Sequence, residues 1–365
     1  MKRIIHIACL NKAQRNLGVA YQMDIERKAA KFLNLDWTVE LWTSDQIDLI
    51  ISKRLPYLSH HFIARRIYFL LQLKKAVRKY DIVIMRYMPL DFFSLFLSRK
   101  ERQKIITLFH AKEATFFGTS ELKSKLLRKI NSKINRYILR DNLGIAAVTH
   151  ELINYYTSMT TNYTRNYVYP NGHFITNSDV HDLEALSRNH SVIKIAFIAS
   201  SFYQWNGLEE LLDNIDQSVI DRSYQLILVG SLTDKQRQMI SQSSANIIHF
   251  SSLDTSELDA LLQDVNVTLG AFNLHSVDLK EACTLKVRKS LGLGIPVYSG
   301  HIDTGLPSDF PFYFVGPPSI DGILDYVRTL NSPSKQEVAA ESIRWISKIE
   351  LLSKFHEQIL NDGLE

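Results

Sequence analysis

Apolar positions along the chain fall into two alternating kinds, short continuous runs and helically spaced series, a pattern that predicts an α/β protein built on parallel strands. The first run, RIIHIACL at 3–10, reads as a buried strand. Ile25, Ala29, Phe32 and Leu33 then mark one face of a helix over 20–35, and TVELWT at 38–43 is the second strand. A helix over 61–79, the strands YDIVIMRY (80–87) and KIITLFH (104–110), and a basic helix over 122–139 follow. GIAAVT (144–149) is a further strand, a helix opens at His150, and YVYPNG (167–172) ends in a Pro-Asn-Gly turn. Strand, helix and strand in this order begin a doubly wound sheet. The polar stretch 173–191 reads as a crossover. A second alternating series comes after it: KIAFIAS, a helix over 207–214, YQLILVG, NIIHFSS, a helix over 256–262, NVTLGAF and PVYSG. Residues 334–360 are predicted as one long helix. No short repeat, low-complexity tract or membrane-length apolar run interrupts the pattern.

The loop after the first strand, NKAQRNLG at 11–18, offers Gly18 for a tight turn but carries no GxGxxG fingerprint, which argues against a dinucleotide site. At 365 residues the chain has room for two domains, and its 45% hydrophobic and 22% charged content is that of an ordinary globular protein. Cys9 and Cys283, far apart, suggest neither a disulfide framework nor a zinc site. The apolar run at the N-terminus is too short for a signal peptide or a spanning helix, so a cytoplasmic location is expected. Charge changes the picture more. Residues 53–140 hold 21 Lys and Arg against five acids, a distribution that suits an anionic lipid surface or polymer, and FFSLFL (92–97) beside Arg99, Lys100, Arg102 and Lys104 suggests a helix facing that surface.

The densest chemistry lies at 281–297, EACTLKVRKSLGLGIPV, where Glu281 precedes Lys286, Arg288 and Lys289. Leu285, Leu291 and Leu293 predict a short helix closed by Gly294, with Ile-Pro-Val opening the next strand. A helix N-terminus flanked by a carboxylate and cations suits a ligand bearing both phosphates and hydroxyls. An amphipathic surface helix with a solvated basic face is the plainer reading.

This stretch resembles the donor-site motif of retaining GT-B glycosyltransferases, in particular the group 1, family 4-like enzymes of bacterial surface-polysaccharide synthesis. YDIVIMRY, IAAVTHELINYY, YPNG, SSFYQWNGLEELL and NLHSVDLKEACTLK resemble further landmarks of that family, in the family's order. The resemblance implies two Rossmann-like doubly wound domains facing across a cleft. Residues 1–175 would form the acceptor-side domain, 190–335 the nucleotide-sugar donor domain, and a C-terminal helix at 336–365 would cross back to the first. It implies transfer of a hexose-like unit, with retention, from a nucleotide-diphosphate sugar to a glycan or lipid-linked acceptor.

Of the family's two glutamates spaced E-x7-E, Glu281 matches the first, which faces the sugar; the second, which holds the ribose, falls on Lys289. Where the family places a lysine before glycine in the first loop of the second domain, this chain has Asn206 and Gly207. Lys286 is then the candidate cation for the diphosphate. His110, at a strand end before AKEATFFG, is the candidate for facing the donor sugar, and Arg86 and His275 are candidate pocket residues. Gly18, Leu285 and Arg288 complete the expected donor contacts. Glu113, in the His110 loop, is a weaker candidate. The sequence has no Asp-x-Asp pair, so neither a metal nor a separate cofactor is expected, and nucleic acid is not an expected partner. The replacements at 206 and 289 keep a second reading open, a catalytically inactive GT-B-like module that binds glycan or a partner. Peripheral contact with an anionic membrane, at the inner face of the plasma membrane, is compatible with both.

Overall fold

The computed structural model describes residues 2–11, 17–45, 48–56, 61–113, 122–160, 165–183, 192–215 and 224–362. Most of the expected loop at 111–118 and the second half of the expected crossover, 184–191, lie outside them. The chain forms two compact units, Met1–Phe174 with Lys348–Glu365, and Ile175–Ser347.

The first unit carries a parallel seven-stranded sheet: β1 Ile4–Leu10, β2 Trp37–Thr43, β3 Ser52–Arg54, β4 Ile82–Arg86, β5 Ile105–Phe109, β6 Gly144–Ala147 and β7 Arg165–Val168. Their order across the sheet is β3-β2-β1-β4-β5-β6-β7, so the chain reverses direction across the sheet between β1 and β4. One face packs Ile4, Ala8 and Ile84 against Met23 and Ala29 of the helix Leu17–Phe32 and Leu352 and Phe355 of the helix Lys348–Asn361. The other packs Ile5, Ile7 and Val83 against Phe69 and Leu73 of the helix Phe62–Lys79. Strands clothed on both faces need apolar side chains at every position, hence the unbroken runs in the sequence.

The second unit repeats the plan with β8 Ile193–Ser201, β9 Tyr224–Ser231, β10 Ile247–Phe250, β11 Val267–Leu269, β12 Val297–Ser299 and β13 Tyr313–Val315. The order is β10-β9-β8-β11-β12-β13, again all parallel, with the reversal between β8 and β11. Between β11 and β12 the helix Leu285–Gly292 ends at Gly294, whose φ of 71° is the left-handed turn expected of a C-cap glycine.

Several expectations are corrected. The C-terminal stretch is two helices, Lys335–Ile346 and Lys348–Asn361, rather than one. Ser347 between them is extended (φ −64°, ψ 124°), and its hydroxyl donates to the Ile175 carbonyl at 2.9 Å. The Lys348 amide goes to the His173 carbonyl at 2.8 Å instead of continuing a helical ladder. Val338, Ala339 and Ile346 of the earlier helix are buried with Val287, Leu291 and Phe312, so that helix belongs to the second unit and only Lys348 onward to the first. FFSLFL forms a short 3₁₀ turn, Phe92–Phe96, not a longer helix. Gly18 lies in the first turn of the helix Leu17–Phe32, without a positive φ, and not in a tight turn.

Candidate functional site

In a doubly wound sheet, ligands gather beyond the carboxyl ends of the strands where the strand order reverses. In the second unit that is the end of β8 and β11. The loop leaving β8 makes a 3₁₀ turn, Gln204–Asn206, then Gly207 with φ 76°. A Cβ at Gly207 would stand 2.7 Å from the Phe272 Cβ, so the residue must be glycine on both counts. Asn206 is buried; its side-chain oxygen accepts from the Tyr203 amide at 2.9 Å, and its carbonyl accepts from the Phe272 amide at 2.9 Å. Asn206 thus braces the loops after β8 and β11.

Lys286, second in the helix Leu285–Gly292, reaches the end of β8. Its Nζ lies 3.4 Å from the Ile198 carbonyl and 4.7 Å from the centre of the Phe197 ring. Burial pushes its pKa down to about 7. Thr284 precedes the helix in extended conformation without capping it, and its buried hydroxyl has no hydrogen-bond partner among the described residues. A cation and an uncapped helix start are therefore available at one place.

The other residues of the motif are placed differently. Arg288 is 1% exposed and donates to Asp303 Oδ1 at 2.5 Å, with Cys283 Sγ at 2.9 Å. Burial disfavours its charge, but the Asp303 carboxylate and the Cys283 sulfur more than offset this and raise its pKa. Lys289 lies 2.5 Å from Asp259 of the neighbouring helix Thr255–Leu262. Glu281 sits in an isolated parallel bridge with Ile302, in the loop after β12, and is partly buried. Leu285 is the partly buried first residue of the helix, and His275 is exposed in the turn Leu274–Val277.

Sequence reasoning missed the loop after β12. His301, buried there, lies with Nδ1 2.7 Å from Ser299 Oγ and 3.1 Å from the Ala271 carbonyl. The signal was present in SGHID, a polar run at the carboxyl end of a buried strand.

In the first unit, Arg86 ends β4 and His110 follows β5, with Arg86 Nη1 2.9 Å from His110 Nε2. Arginine only donates, so Nε2 accepts and the imidazole proton is on Nδ1, which has no partner among the described residues. Burial, reinforced by Arg86, holds the His110 pKa well below its usual value, so the ring is neutral. Burial also lowers Arg86 to about 10, although Glu113 favours its charge. Glu113 accepts from Tyr156 Oη at 2.6 Å, and Tyr156 stacks on Phe109 with ring centres 3.5 Å apart. The weaker candidate Glu113 is thus tied into the support of His110.

Arg86 and His110 also line a cavity with His6, Glu26, Tyr169 and Lys348, large enough for about one water molecule. Glu26 is its hub: it takes His6 Nδ1 and Trp37 Nε1 at 2.9 Å each and Tyr169 Oη at 3.0 Å, with Lys348 Nζ at 3.8 Å. Burial alone would raise the Glu26 pKa, but His6, Lys348 and Trp37 bring it down to about 2.

No family model matches the sequence, and no curated protein matches it either. Solved structures do. Anabaena HepE, determined in complex with UDP and glucose, matches with a TM-score of 0.67 at 10% identity over 99% of this chain and 100% of that one. A glycosyltransferase from Rickettsia africae matches with a TM-score of 0.67 at 14% identity, covering 100% and 99%. The lipopolysaccharide outer core galactosyltransferase WaaB, in its apo form, matches with a TM-score of 0.64 at 12% identity, covering 98% and 99%. The chain has the GT-B fold of these proteins.

Proposed function

We propose that the protein is a glycosyltransferase that moves a sugar from a nucleotide-diphosphate sugar to a glycan or lipid-linked acceptor, with retention, in cell-surface polysaccharide synthesis. The observation that carries this reading is the meeting of Lys286 with an uncapped helix start at the β8–β11 reversal of a GT-B fold. Fold alone would not suffice, since function resides in the site.

In the reaction the bond between the sugar's anomeric carbon and the diphosphate oxygen breaks, the acceptor hydroxyl oxygen bonds to that carbon, and its proton passes to the leaving diphosphate. Negative charge grows on the diphosphate as the bond lengthens. We assign its stabilisation to the Lys286 ammonium and the helix N–H groups. Glu281 is assigned to the hydroxyls of the donor sugar. In the first unit, the Nδ1–H of neutral His110, which has no partner among the described residues, is a donor for a sugar hydroxyl. The helix Phe62–Lys79 exposes Ile63, Ile67 and Leu71 beside Lys75, Arg78 and Lys79, and Leu122 and Leu126 are exposed among Lys123, Lys125 and Lys129. We assign these two apolar and basic helix faces to an anionic membrane that presents the acceptor.

The second reading, a module that binds without transferring, is favoured by Lys289, paired with Asp259, and by Asn206, engaged within the loop. A thermal-shift screen with UDP, GDP, ADP, CMP and their sugar conjugates, followed by donor turnover, tests both. A shift of several degrees with one diphosphate and its sugar, with turnover, is expected. Binding without turnover supports the module, and no shift with any nucleotide overturns the donor site.

A further inference from the structure

The Ala271 carbonyl can only accept, so the proton of His301 is on Nδ1, shared between that carbonyl and Ser299 Oγ. Burial, with Lys286 and Arg288 adding to it and the Ala271 carbonyl opposing, brings the His301 pKa down to about 4. The ring is therefore neutral at physiological pH, and Nε2 presents a lone pair. That atom is buried and has no hydrogen-bond partner among the described residues, although the residue is only 2% exposed. Leaving an acceptor buried and unmatched is unfavourable, and such an atom calls for a donor.

Its position is defined by β11. A Cβ at Gly270 would stand 3.2 Å from the His301 Cε1, so the ring lies against the backbone at the end of that strand, beside the strand-order reversal. An ionised phosphate offers only acceptors and cannot satisfy a lone pair. A hydroxyl can.

We propose that His301 Nε2 accepts a hydrogen bond from a hydroxyl of the bound nucleotide sugar and is a specificity-determining residue of the donor site. This rests on the donor-site reading above. His301 favours ligands that keep this hydroxyl over deoxy analogues, while Lys286 meets the diphosphate.

Calorimetric titration of the full chain tests it, using UDP, GDP and ADP, their glucose conjugates and the matching deoxy analogues, with wild-type protein, His301→Asn and His301→Gln. Asparagine keeps a donor near the position of Nδ1 and removes the acceptor; glutamine places an oxygen near Nε2. His301→Asn is expected to lose roughly three- to tenfold in affinity for the hydroxyl-bearing ligand and nothing for its deoxy analogue, with partial recovery in His301→Gln. A loss already present with the diphosphate assigns the hydroxyl to ribose; a loss only with the conjugate assigns it to the sugar. Equal binding by wild type and His301→Asn overturns the proposal, as does an equal loss with the deoxy analogue. Should the asparagine variant not fold, the imidazole ¹⁵N spectrum of the wild type decides: the His301 Nε2 resonance moves upfield on accepting the bond, and an unmoved resonance at saturation overturns it. If wild type binds no nucleotide at all, the donor-site reading falls and this assignment with it.

Discussion

Lys286 and Glu26 are charged groups that burial treats in opposite ways. Lys286 donates to the neutral Ile198 carbonyl and meets no carboxylate among the described residues, so burial lowers its pKa to about 7. Its charge is lost as pH rises through that value. Affinity for a diphosphate is therefore expected to fall by roughly tenfold between about pH 6 and pH 9, with proton uptake on binding near pH 8. Calorimetry in buffers of different ionisation enthalpy measures the uptake, and Lys286→Met should abolish it. Glu26 is surrounded by donors that hold its carboxyl at about 2 against the usual 4.5, worth roughly 3 kcal/mol at neutral pH. Because the folded value lies below the unfolded one, this stability is complete above about pH 5 and is lost as pH falls toward 2. Glu26→Gln should destabilise the protein at pH 7 by roughly 3 kcal/mol in urea and flatten the acid limb. Lys286 was legible in the sequence because the helix start announced itself. The Glu26 cluster was not: His6, Tyr169 and Lys348 are brought to it by the fold alone, Tyr169 and Lys348 from far along the chain. Nor could the sequence show that Arg288 is consumed by Asp303, in a loop beyond the next strand.

At the scale of the element, the buried strands were readable because sheets covered on both faces demand continuous apolar runs. β3, Ser52–Arg54, escaped notice because SKR is polar and sits at the sheet edge. The break at Ser347 was hidden for a different reason: nothing in the local helical spacing reports that the Lys348 amide has an external acceptor. The turn after β8 depends on backbone conformation. Gly207→Ala would set a side chain at φ 76° against Phe272, and a loss of about 1–3 kcal/mol in denaturant unfolding is expected. The same variant should bind nucleotide more weakly, since Asn206 and Phe272 hold the two loops of the reversal together.

Across the whole molecule, two alternating series of strands and helices were enough to read two doubly wound sheets. What lay beyond that reading was the point at which the chain returns to the first. Leu352, Phe355 and Ile359 are each at most 1% exposed in the core of the first unit. Ending the chain at Ser347 would remove all three, and its thermal unfolding should lose the transition of the first unit while keeping that of the second. Sedimentation with vesicles tests the membrane assignment: binding is expected to anionic vesicles at low salt, to weaken with added salt, and to be absent with neutral lipid.

The Ser347 hydroxyl bound to the Ile175 carbonyl, beside the neighbouring link from Lys348 to His173, has a consequence for biosynthesis. The second unit is one continuous segment whose two ends meet, inserted into a first unit that is written in two pieces. A ribosome releases every residue of the insert before it supplies Lys348–Asn361, so the later-encoded unit is expected to complete its folding first. The earlier-encoded one must wait, with one face of its sheet only partly covered by the helix Leu17–Phe32, for the helix that finishes it.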